Sequence, residues 1–300
     1  MKRPIRRRAR ATAAVRDNQA PAWLAAACAA AWLALFWPTL GWMAERFDAH
    51  DSFYSHGWLV PVAAAWLIWQ RREELRRLPR QPSLAGLSLL VPSVLLHAGA
   101  ARLQLHVISG FMALATVWGL VWTLAGGRFA WRLRFPLAFL LFMVPLPGVL
   151  LIAASFYMKL FAAHLATPVV NWLGVPAVQA GSTIHLAHTS VIIDDTCSGL
   201  RSLISLLALA TLWTALLPAG TARWKKLALV TASVPIAVLA NMARIVLLVM
   251  IAAIYGPQAA QGFIHYGAGL VVFAVALLLL FALSHTLRAW SATAPASSRS

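Results

Sequence analysis

The chain has 300 residues, 61% of them hydrophobic and only 11% charged, with a formal net charge of +17 and a mean hydropathy of +0.75. A soluble domain of this length needs a far more charged surface, so the composition excludes one and indicates a polytopic membrane protein. The basic excess falls in short clusters between apolar runs, not along one amphipathic face; it fits topology signals, and no nucleic-acid partner is expected.

The first 21 residues form a basic arm that begins Lys2-Arg3-Pro4-Ile5-Arg6-Arg7-Arg8-Ala9-Arg10. This resembles the start of a signal peptide, but the apolar run behind it is too long and has no clear small-residue cleavage site. We read a cytoplasmic arm, then a single membrane-embedded domain over 22–284, then a short cytoplasmic tail over 285–300. Eight apolar runs reach or approach the roughly 20 residues that cross a bilayer core. They are 22–43, 53–70, 83–101, 106–125, 135–152, 198–217, 227–254 and 263–284. Pro38, Pro61, Pro92 and Pro235 lie inside them, which spanning helices tolerate when neighbours re-satisfy the backbone. The expected fold is an all-α polytopic membrane protein of about eight spans, both termini inside.

That orientation puts 20 of the 25 lysines and arginines on the cytoplasmic side. They are the clusters at Lys2–Arg16, Arg71–Arg80, Arg128–Arg134 and Arg223–Lys226, with Arg288 and Arg299. Most acids, Glu45, Asp48, Asp51, Asp194 and Asp195, fall outside. The segment 153–175 is also apolar, and a ninth span there would flip every later loop. Lys159, His164 and Pro168 argue for a helix lying in the interface. The longest outer loop follows, 176–196. In it Thr183–Leu186 and Val191–Asp194 read as two short extended runs that pair as a hairpin before the sixth span.

The chemistry-bearing residues start where that loop ends, in Asp194-Asp195-Thr196-Cys197-Ser198-Gly199-Leu200-Arg201. Cys28 and Cys197 are far apart in sequence, and both are expected as free thiols. Most unpaired cysteines are small buried hydrophobes. Cys197 has a second reading as a nucleophile, because the start of a helix favours a thiolate. Arg201, four residues on, would then share its helical face and lower the thiol pKa further. Asp194 and Asp195 act against this unless paired or capping; capping by Asp195 or Thr196 is the expected role.

Arg244 lies deep inside an apolar run, where an arginine costs about 2.5–3.5 kcal/mol on insertion scales, so it is a functional candidate. Asn241 precedes it by one turn and can steady it. His265 opens the eighth span on the same expected side as Cys197. A cysteine with a histidine in reach can attack a carbonyl, and a fixed cation can stabilise the oxyanion. His56, at the start of the second span, is a further acid–base or substrate-contact candidate. No metal-ligand spacing, phosphate loop or serine elbow stands out, and no cofactor is expected.

Taken together, Thr196-Cys197-Ser198-Gly199-Leu200-Arg201-Ser202-Leu203, Asn241-x-x-Arg244 and His265 resemble the exosortase/archaeosortase family. Tyr54-Ser55-His56-Gly57 matches its N-terminal part. The resemblance covers roughly 50–280. It implies a membrane-embedded cysteine protease-transpeptidase of the inner membrane. Its substrates would be exported proteins ending in a sorting signal: a Pro-Glu-Pro motif, a transmembrane helix and a basic tail. By position, Cys197 would be the nucleophile, Arg244 the oxyanion or substrate stabiliser and His265 the acid–base residue. His56, Arg201 and Asn241 would support them, at the periplasmic face. Membrane lipids, and an envelope or exopolysaccharide acceptor, are the other expected partners. The lead-in Asp194-Asp195-Thr196 is more acidic than the family's usual one. Two other classes compete: a transporter of an anionic solute that uses Arg244 as counter-charge, and a non-catalytic scaffold for exopolysaccharide or envelope export.

Overall fold

The computed structural model describes residues 22–50, 52–218, 220–260 and 263–293; the basic arm 1–21 and Arg299 lie outside the described residues. The chain forms two compact units, one of Met1–His50 with Tyr54–Leu146, the other of Asp51–Phe53 with Pro147–Ser300.

In the first unit, α1 runs over Ala22–Asp48 with Pro38 inside it. A 3-10 turn at Ser55–Trp58 leads into α2, Leu59–Gln70, and a short α3, Arg72–Arg77. Helices α4, Leu87–Arg102, and α5, His106–Ala125, form a tight pair. The pairing rests on small residues, because apolar helices in lipid gain little from hydrophobicity and associate by close packing and interhelical hydrogen bonds. A Cβ on Gly119 would lie 2.8 Å from the Leu90 amide nitrogen, and Thr116 Oγ1 donates to Ser93 Oγ at 3.0 Å. The unit ends in α6, Gly127–Arg132, and α7, Arg134–Phe139. Arg72 stacks over Trp69 at 4.2 Å and Arg134 over Trp131 at 4.3 Å, the residue types that anchor helices at a membrane interface.

In the second unit, α8 is Gly148–Trp172. A three-stranded antiparallel sheet follows, β1 at Ala177–Ala180, β2 at Thr183–Leu186 and β3 at Ser190–Ile192, in the order β1-β2-β3. A 3-10 turn at Asp195–Cys197 leads to α9, Leu200–Leu216; then come α10, Arg223–Tyr255, and α11, Phe263–Thr293. Leu206, Leu229, Ala237, Ala276 and Leu280 interlock the last three helices. Their far end is pinned by Trp213 Nε1 donating to Ser284 Oγ at 2.9 Å and by the Lys225 ammonium donating to the Leu287 carbonyl.

Among the described residues, six helical segments are long and apolar enough to cross a membrane: 23–48, 84–102, 106–125, 148–172, 223–255 and 267–288. Three of the eight expected runs take another form. Run 53–70 holds a 3-10 turn and a 12-residue helix, and run 198–217 holds a 17-residue helix. Run 135–152 is broken: helix stops at Met143, Val144 is extended (ψ 113°), and α8 starts at Gly148. Pro145 and Pro147 account for the break, since proline lacks an N–H and pushes the residue before it out of the helical region. Segment 153–175, expected in the interface, is mostly the body of the continuous α8. The hairpin before the sixth span is present as β2 and β3, with β1 added ahead of it.

Candidate active site

The site is built where four pieces of the second unit converge: α8, the turn before α9, and the facing halves of α10 and α11. Cys197 is 5% exposed and packs in an apolar cluster with Ala163, Ala166, Ile193, Ile245 and Val249. Neither it nor Cys28 is in a disulfide.

The cysteine is not in the first turn of α9. Gly199 adopts a left-handed conformation (φ +79°) between the 3-10 turn and the helix, which begins at Leu200. The expected one-turn relation between Cys197 and Arg201 therefore does not hold; the two belong to different turns of chain. Asp194, not Asp195, is the cap: its carboxylate accepts from the Cys197 N–H at 3.0 Å. The Thr196 side chain lies outside the described residues.

Asp195 has a different partner. Lys159 on α8 pairs with its Oδ1 at 2.8 Å, and Ser155, also on α8, donates to the same atom at 2.7 Å. Those hydrogen bonds, Lys159 first, hold the Asp195 carboxyl below the usual aspartate range. On sequence alone Lys159 is a reason for segment 153–175 to lie in the interface. It is instead the counter-charge that offsets one of the two acids beside the cysteine. An i, i+4 spacing of Ser155 and Lys159 on one helix face was the available signal.

From the other side, Asn241 on α10 donates from Nδ2 to the Cys197 carbonyl at 2.9 Å, a buried bond. Gly199 makes room for it: a Cβ there would lie 2.7 Å from the Asn241 side chain. Arg244, one turn along α10, lines a cavity of about 30 Å³ with Asn241, Ser202, Gly269 and Phe273. That volume suits a water molecule. The guanidinium lies against Gly269 of α11, where a Cβ would touch its Cζ at 3.4 Å. Gly269 thus joins the site as a residue the sequence reading missed. Arg201 carries a buried Nε without a hydrogen-bond partner among the described residues.

His265 lies in the first turn of α11, between Ala260 and Ala268, which both belong to the cluster around Cys197. Its side chain lies outside the described residues. His56 belongs to the first unit, where its ring stacks with Tyr54, centroids 5.8 Å apart. Among the described residues no three His, Cys, Asp or Glu side chains come together as metal ligands.

These features define a multi-pass helical membrane protein with a buried cysteine tied to an amide one turn from an intramembrane arginine. The family model for transmembrane exosortases matches residues 42–282, most of the chain, and the chain belongs to that family. Comparisons with curated proteins and with solved structures returned no match. Exosortases are in general proteases or transpeptidases of proteins that carry sorting signals.

Proposed function

We propose that this exosortase is a cysteine protease-transpeptidase that cleaves a C-terminal sorting signal at the periplasmic face of the inner membrane. The observation that carries the reading is the Asn241–Cys197 bond. It ties the cysteine turn to the helix that carries Arg244, which supports pairing a thiol nucleophile with an oxyanion cation.

The Cys197 thiolate adds to the carbonyl carbon of the scissile peptide, and the carbonyl π pair moves to oxygen. Arg244 stabilises that oxyanion, and Arg201 contacts the neighbouring substrate backbone. When the tetrahedral intermediate collapses, the C–N bond breaks and the leaving amine takes a proton from the His265 imidazolium. An acyl thioester remains on Cys197. Water or an amine of an envelope or exopolysaccharide acceptor then attacks it, giving up a proton to His265; the C–S bond breaks, and the Cys197 thiolate and the His265 imidazolium are restored. Asn241 positions the nucleophile. His56 is a candidate substrate contact.

The outward orientation of the site rests on charge. Arg223, Lys225, Lys226 and Arg288 sit at the opposite end of α10 and α11 from Cys197, and positive charge stays on the cytoplasmic side. In this reading α2 and α9 also cross, and α8 takes the crossing first given to run 135–152, so the basic clusters keep their cytoplasmic side.

The test is co-expression of this chain with a tagged exported protein that ends in a Pro-Glu-Pro motif, an apolar helix and a basic tail. Wild type should shorten it, with a new C-terminus near the motif by mass spectrometry; Cys197→Ala should not. Equal processing by a stably expressed Cys197→Ala protein would remove the cysteine from the chemistry.

A further inference from the structure

The two edges of the small sheet are treated differently. Ile193 N–H donates to the Ser182 carbonyl at 2.9 Å and Leu186 N–H to the Thr189 carbonyl at 2.8 Å. Bonded and non-bonded pairs alternate in an antiparallel ladder. The intervening pair Ile184–Val191 is therefore bonded, and Ser190 and Ile192 turn their backbone N–H and C=O groups away from β2. By the same alternation Ala177 and Gln179 face outward from β1.

On β1 the protein closes this edge itself. Asn171 of α8 accepts from Ala177 N–H at 2.8 Å and donates to the Ala177 carbonyl at 2.9 Å. A side-chain amide offers the same donor and acceptor as a neighbouring strand. On β3 nothing comparable covers Ser190 and Ile192 among the described residues; both are exposed, Ile192 to 70%. An uncovered edge is a template for another strand, and proteins ordinarily blunt such edges.

The open edge is continuous with the candidate site. Ile193, the next residue, is buried in the cluster around Cys197. Asp194 then caps the turn that carries Cys197. A strand laid along β3 would be delivered to that turn.

We propose that the open edge of β3 binds the exported substrate as an added strand, through the backbone groups of Ser190 and Ile192. This rests on the reading of Cys197 as the nucleophile. The occupant is an extended peptide segment of the substrate, next to its scissile bond. Backbone pairing supplies the hold, and alternate side chains supply what selectivity there is. Segments locked in helix are poor ligands.

Site-directed disulfide trapping tests it without requiring turnover. The enzyme carries Cys197→Ala, Cys28→Ser and Ile192→Cys, and the tagged substrate carries a single cysteine moved one position at a time through the segment beside the motif. Directly opposed Cβ atoms in a sheet lie about 4.5–5.5 Å apart. Trapping should peak at one substrate position, fall at both neighbours, and shift by two positions when the enzyme cysteine moves from Ile192→Cys to Ser190→Cys. No trapping, equal trapping at every position, or a peak that does not shift overturns the proposal. Processing by wild type is scored separately. Absent processing with a peak that shifts contradicts the cleavage reading and upholds the docking edge; normal processing without trapping does the reverse.

Discussion

The Asn241 amide donates to the Cys197 backbone carbonyl at 2.9 Å, joining residues 44 positions apart in sequence. Both residues are 5% exposed, so bulk solvent does not compete for the bond. Asn241→Ala removes that bond, at a cost of about 0.5–1.5 kcal/mol. Processing of the tagged substrate should fall, and the detergent-solubilised protein should melt earlier. Full processing at the wild-type rate would mean that the amide does not position the cysteine.

Gly199 meets two demands at once, a positive φ and contact with Asn241. Gly199→Ala costs roughly 1–2 kcal/mol for the left-handed backbone alone, and its methyl group also displaces Asn241. Gly148→Ala is the control, since a Cβ there meets nothing within 4 Å. Thermal melting should separate the two clearly, with only the first also impairing processing.

Lys159 and Asp195 set an acid limit. Asp195 titrates below its ordinary range in the folded protein, so its contribution is present at and above the ordinary aspartate pKa. It is lost as pH falls through the lowered value. The Asp195 side chain is 61% exposed, and solvent screening keeps the effect below about 1 kcal/mol. Lys159→Met should lower the melting temperature slightly at neutral pH and reduce this component of the loss on acidification, leaving the part held by Ser155. Parallel melting curves for both proteins over that pH range would contradict the assignment.

Arg244 separates charge from geometry. Arg244→Lys keeps a cation but loses the planar fork, and Arg244→Met loses both. If the guanidinium stabilises an oxyanion, each should slow processing by about 10²–10³-fold. Arg244→Met should still insert, because it removes a residue that is costly in lipid. Initial rates at matched expression measure this; near-normal rates for Arg244→Met would exclude an oxyanion role.

The sequence made some parts of this site visible and hid others for physical reasons. Arg244 stands out because a charge in an apolar run is costly and needs a purpose, and Cys197 because it sits in a polar stretch at the start of such a run. The β2–β3 pair was visible as two short runs around a turn. The break at Pro145–Gly148 was not, because an apolar window counts hydrophobicity and is blind to lost N–H donors. The Lys159–Asp195 pair spans separate elements, and no local pattern encodes which lysine reaches which carboxylate. Gly199 had the same fate: its left-handed turn moved Cys197 out of the helix that its apolar neighbours suggested.

The most direct measurement is the mass of Cys197 during turnover. Purified enzyme mixed with the tagged substrate, quenched in acid and digested, should yield the Cys197 peptide carrying the substrate's N-terminal fragment as a thioester. Hydroxylamine should release that fragment. Rapid cleavage with an unmodified Cys197 peptide at every quench time, and with Cys197→Ala equally active, would contradict the account.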